Sequence, residues 1–157
     1  MHSSRNCSKT FEGVSTDISV QYYADSTLVL LTQVGKVGNL IQVSLPATIP
    51  ITPSAPDSAE PNTPTLPPPP IAIQLVPLLG SAPSDRMQTL HNLYASQIAT
   101  IVWLAQSENP LQMIRKNVVV GIALRRSSEL EEPDLTETER ESFYGAMSAM
   151  QELLRHT

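Results

Sequence analysis

Ten of the fourteen prolines in this 157-residue chain fall between Pro46 and Pro70. Proline lacks an amide proton and restricts the residue before it, so this stretch forms neither a helix nor an interior strand. It is read as a long loop inserted into one domain, dividing residues 1–157 into a core of 8–45 and 71–157 and an insert of 46–70. The length suits one domain. A hydrophobic content of 41% and a mean hydropathy of -0.08 exclude global disorder. No apolar run approaches the roughly 20 residues that span a bilayer, so no membrane partner is expected.

The net charge of -5 argues against a nucleic-acid surface, which needs clustered Lys and Arg. Of three Lys and seven Arg, only Arg115, Lys116, Arg125 and Arg126 gather, bracketing one apolar run. They read first as solvated strand ends and second as a docking patch. Cys7 is the sole cysteine, which excludes an intrachain disulfide. The first residues, Met1-His2-Ser3-Ser4-Arg5-Asn6, lack the apolar segment of a secretory signal, so a cytoplasmic and nuclear location is expected.

Short β-rich runs separated by Gly, Asp and Ser fill the first 45 residues. Ile18, Val20 and Tyr22 alternate with Ser19, Gln21 and Tyr23, and Thr27 to Val34 follows as the second arm of an antiparallel hairpin. Gly35-Lys36-Val37-Gly38 then reverses the chain into Asn39 to Leu45, with Ile41, Val43 and Leu45 on one face. Lys9 to Glu12 forms a weaker first strand. The apolar pattern resumes from Ile71 to Leu79, where Pro77 suggests an edge. Ser84 caps a helix whose Met87, Leu90, Tyr94, Ile98, Ile101 and Ala105 recur at helical steps, and Asn109-Pro110 ends it. Asn117 to Leu124 is apolar on both faces and therefore central. An acidic stretch, Glu129 to Glu141, leads into a last helix with a core stripe of Phe143, Met147, Met150 and Leu154 and a capping box at Asp134 and Glu137.

The pattern predicts an α+β fold: a mostly antiparallel sheet of about six strands with two main helices, order βββββαβα, and the Pro-rich loop between strands 4 and 5. Two helices cover one face of such a sheet. Yet Leu28 and Leu30 point opposite to Val29 and Leu31, so this strand expects apolar cover on both sides. Dimerisation through a sheet face is the expectation.

Chemistry is sparse. His2, His91 and His156 lack metal-ligand spacing, and His91 is expected at its helix's boundary. Gly35-Lys36 fails as a phosphate loop, since Leu30 stands where the first glycine is needed and Val37 replaces Ser or Thr. Cys7 is expected in a frayed terminus without a histidine partner. An enzyme is not expected. The prolines allow a different function: Pro50, Pro53, Pro56, then Pro61, Pro64 and Pro67 have P-x-x-P spacing, and Leu66-Pro67-Pro68-Pro69-Pro70 is similar to an EVH1 ligand. The insert lacks the Arg or Lys that flanks SH3 ligands, so a tolerated spacer is the plainer reading.

Thr27-Leu28-Val29-Leu30-Leu31-Thr32-Gln33-Val34-Gly35-Lys36-Val37-Gly38-Asn39-Leu40 resembles the strand, T-Q-x-G-K-x-G turn and strand of the proteasome assembly chaperone 3 family. Gly13-Val14 and Thr16 are similar to its G-V-x-T turn, and the later elements follow in its order. The resemblance covers about Lys9 to Leu124. It implies a non-catalytic chaperone without a cofactor that pairs, through the sheets, with a proteasome assembly chaperone 4-like subunit. When isolated, the chain could form a homodimer instead. The family's pair helps α-type subunits of the 20S proteasome assemble into the α-ring. Thr32, Gly35 and Gly38 carry over as turn structure, and Gln33 and Lys36 as partner-binding residues, their polar ends expected in solvent. The longer, proline-rich insert departs from the family, as does the acidic connector. The alternative reading is a proline-rich interaction module unrelated to the proteasome.

Overall fold

A computed structural model of the chain describes residues 3–11, 13–33, 35, 38–51, 66–82, 84–107, 115–124 and 137–155. Its elements run β1 (Ser3–Phe11), β2 (Val14–Tyr22), β3 (Ser26–Thr32), β4 (Asn39–Ser44), β5 (Gln74–Gly80), α1 (Asp85–Ser107), β6 (Asn117–Ala123) and α2 (Glu137–Arg155). This is the expected βββββαβα order, with six strands in one sheet.

The strands lie in the order β1-β2-β3-β6-β4-β5. Four pairings are antiparallel, and β3 with β6 is parallel. β6 is central, as its two dry faces require. This position corrects one expectation, because β3 and β4 do run in opposite directions but are not a hairpin of neighbours. β6 lies between them, pairing Val29 with Val120 on one side and Ile41 with Val120 on the other. The reason is burial: the most apolar strand gains most from the place with a neighbour on each side.

Two strand starts also differ. β1 extends back to Ser3, because β2 continues to Tyr22, opposite Ser3, and offers nine residues of ladder. Cys7 is therefore paired opposite Ile18, not frayed. β5 begins at Gln74 instead of Ile71, since Ile73 closes a turn on the Pro70 carbonyl at 3.3 Å. The expected strand end Glu12, the helix stop Asn109-Pro110 and the capping Asp134 lie outside the described residues.

Alternation places Ile18, Val20, Val29, Leu31, Ile41, Val43, Val118, Val120 and Ile122 on one face, where both helices bury them. Ser84 caps α1 as expected, its Oγ accepting from the Met87 N–H at 3.2 Å. Tyr94 of α1 meets Phe143 of α2 edge to face at 5.1 Å. Arg86 and Glu139 form a two-pronged ion pair between the helices, one prong at 2.9 Å. At the other end of α2, Arg5 of β1 donates to the Leu153 and Leu154 carbonyls, a cation at the negative end of the helix.

Candidate functional site

Among the described residues, no helix lies on the second face of the sheet. On it, the register puts Leu30 of β3 beside Gly121 of β6, which neighbours Leu40 of β4, which neighbours Leu79 of β5. The next row is Leu28, Val119, Gln42 and Val76. Leu28, Leu30, Leu40 and Val119 are half-buried by one another, and Val76 and Leu79 are exposed. Toward β1 the same face turns polar through Ser19 and Gln21, opposite Asn6 and Ser4. The sequence pointed to Leu28 and Leu30 as this second face and to the Asn117 to Leu124 strand as apolar on both sides. It missed Leu40, Val76 and Leu79, although the alternation of Leu40 with Ile41 was a usable signal.

A sheet recruits partners by its edge or by its face. The β5 edge is guarded: Pro77 donates no hydrogen bond, and the register shifts between Leu40 and Ile41. The β1 edge carries Arg5 and Lys9, the latter paired with Glu152. Both edges are thus poor templates for a further strand, which leaves the face.

The turn after β3 is partly described. Gly35 has φ +74°, a left-handed conformation that favours glycine, whereas Gly38 does not adopt positive φ. The Gln33 N–H donates to the Ala123 carbonyl at 2.8 Å, so the chain leaving β3 stays bonded to the end of β6. Its side-chain amide also has an internal contact, with the Thr16 hydroxyl at 3.4 Å, rather than standing wholly in solvent. Thr32 pairs with Asp17 and Ala123 in the ladder. Lys36, the second partner-binding candidate, lies outside the described residues, as do Arg125 and Arg126.

Arg115 and Lys116 are used locally. Arg115 donates to the Pro46 carbonyl at 2.6 Å and lies 5.9 Å from the Trp103 ring centre, and Lys116 donates to the Tyr23 carbonyl at 3.1 Å. They close the end of the sheet, the plainer of the two sequence readings. The proline run is tied down as well. Pro67 is buried and its carbonyl accepts from Gln97 at 2.8 Å, while Leu66 packs half-buried against the core. An EVH1-type ligand needs this start of the run free. Prolines 53, 56, 61 and 64 lie outside the described residues.

Burial raises the Cys7 thiol pKa, which disfavours a thiolate nucleophile. His91 is buried rather than at the helix boundary, because its position on α1 faces Asn39 of β4. Among the described residues, no group of three His, Cys, Asp or Glu side chains could hold a metal ion, and no helix is long and apolar enough to cross a membrane.

No family model and no curated protein matches the chain. Among solved structures, it is similar to a chain from the crystal structure of a chaperone complex for yeast 20S proteasome assembly. The two share 11% identity over 99% of this chain and 96% of that one, with a TM-score of 0.45.

Proposed function

We propose that this chain is a non-catalytic proteasome assembly chaperone of the chaperone 3 type. It works as a dimer with a related small chaperone and promotes correct assembly of α-type subunits into the 20S α-ring. The observation that carries the reading is the open sheet face, where no described element forms a layer above Leu28, Leu30, Leu40 and Val119. Six strands about 4.8 Å apart and seven residues of about 3.3 Å give a footprint of roughly 670 Å², close to the roughly 800 Å² each partner buries in a stable interface. A second sheet, stacked about 10 Å away, is a natural cover. The T-Q-x-G-K-x-G turn supplies the family.

Once paired, the dimer binds an α-subunit through polar residues such as Gln33 and Lys36 at the turn. It orients the subunit while neighbours add, and later subunits compete for overlapping surface. Release then follows from mass action without ATP. The chaperone acts in the cytoplasm and nucleus. Affinity purification of the tagged chain tests this: α-type subunits and a second small chaperone should be recovered. Recovery of neither, with normal α-ring assembly after deletion of the chain, would overturn the reading.

A further inference from the structure

One polar cluster in the apolar core has no part in that reading. Asn39 at the start of β4 is 1% exposed and His91 on α1 is 3% exposed. The Asn39 side-chain Nδ2 contacts His91 Nδ1 at 3.1 Å and donates its other hydrogen to Gln88 Oε1 at 3.4 Å. Gln88 Oε1 also accepts from the Ala82 N–H at 3.3 Å, and Gln88 Nε2 donates to Asn92 Oδ1 at 3.0 Å. These contacts form a chain with a direction. Gln88 is held from both ends and must show Asn39 its oxygen, so Asn39 must show its nitrogen. His91 then accepts at Nδ1 and carries its ring proton on Nε2. Neither His91 Nε2 nor Asn39 Oδ1 has a partner among the described residues.

We propose that this cluster is a pH-sensitive latch on the start of β4: neutral His91 holds Asn39 against α1, and proton uptake at Nδ1 releases it. With Nδ1 protonated, two donors face each other. Flipping the Asn39 amide offers His91 an oxygen but sets that oxygen against Gln88 Oε1. Flipping Gln88 in turn gives up both Ala82 and Asn92. No arrangement of the three side chains satisfies all the contacts.

No competing charge comes from β4 or its two neighbours in the sheet, because β4, β5 and β6 carry no ionisable side chain. On the helices, the ionisable groups toward this end are Asp85 and Arg86 of α1 and Glu137, Glu139, Arg140 and Glu141 of α2, with Arg86 bonded to Glu139. Burial keeps the imidazole neutral at pH 7, so the latch is closed there and opens on acidification. The corner also transmits movement. Gly80 has φ +75°, and a Cβ on it would collide with the Gly38 carbonyl oxygen, so a shift of Asn39 is felt by Gly38 and Gly80.

The inference rests on the proposed function only for what this corner touches, and its test uses the chain alone. In NMR titrations from about pH 7.5 to about pH 5, the His91 ring should titrate below 6.5, the ordinary histidine value. The amides of Gly38, Asn39, Gly80 and Ala82 should shift with the same midpoint. Their hydrogen-exchange protection, corrected for intrinsic rate, should fall by up to about tenfold per pH unit below that midpoint. His91→Gln keeps an acceptor for Asn39 and should abolish the pH dependence. A wild-type ring that titrates while these four amides stay still overturns the latch, as do amides that move identically in His91→Gln. If that variant does not fold, the wild-type co-titration decides. Failure to recover proteasome subunits would count against the proposed function and leave the latch standing.

Discussion

The two faces of the sheet are built from the same strands by the same alternation, yet they end differently. On β3, Thr27, Val29 and Leu31 are wholly buried beneath the helices, whereas Leu28 and Leu30 on the other side are only half-buried. On β4, Ile41 and Val43 are buried and Leu40 is half-buried. The covered face is saturated: Tyr94, Ile98, Met147 and Met150 fill the space above it, and Arg86 with Glu139 ties the two helices together. The uncovered face is apolar at its centre and polar toward β1. An apolar surface that the described residues leave uncovered is what the proposed pairing would use. On that proposal, the comparison separates residues that stabilise the monomer from residues whose energy would be realised on association.

The largest test of that division is Ile98→Ala on the covered side, which should cost about 2–5 kcal/mol in urea unfolding, because its neighbours cannot close the cavity. Its counterpart is Leu30→Asp on the open side. It should change monomer stability by no more than about 1 kcal/mol yet weaken pairing about tenfold or more in sedimentation. A loss of stability equal to that of Ile98→Ala would end the distinction between the faces. A smaller effect concerns the covered face under acid. The folded pKa of His91 lies below 6.5, so the unfolded chain takes up the proton first. Its contribution is present above pH 6.5 and is lost as pH falls from there through the folded pKa. The unfolding free energy from urea titrations should decline across that window, by at most about 1.4 kcal/mol per pH unit, and His91→Gln should flatten the decline. The smallest effect belongs to the exposed Lys9 and Glu152 pair, where Lys9→Ala should cost no more than about 0.5 kcal/mol.

Much of the fold was legible in the chain. The helical recurrence from Met87 to Ile101 and the Ser84 cap located α1, and the doubly apolar run from Val118 marked β6 as central. The opposition of Leu28 and Leu30 to Val29 and Leu31 pointed to an open face. The candidate site was less legible. Leu79 and Val76 join it only because β5 lies beside β4 in a particular register, and Gln33 reaches Thr16 because β2 lies beside β3. The proline run reads as a tolerated spacer or, less plainly, as a displayed ligand, and neither reading contains the bond from Gln97 to the Pro67 carbonyl. Its attachment depends on a helix thirty residues away, and no local pattern records that.

What the sequence by itself determined is therefore the list and order of elements, the two-sidedness of each strand and the position of the insert. All of these follow from periods of two and 3.6 residues and from proline's missing amide proton. Only the tertiary structure decided which strands are neighbours. β6, formed about eighty residues after β3, enters between β3 and β4 because a strand apolar on both faces is buried most completely in the interior of the sheet. That single non-local choice keeps β3 and β4 from being neighbours. It sets Leu30, Gly121, Leu40 and Leu79 in one row, and so makes a shared surface out of residues that are far apart in the chain.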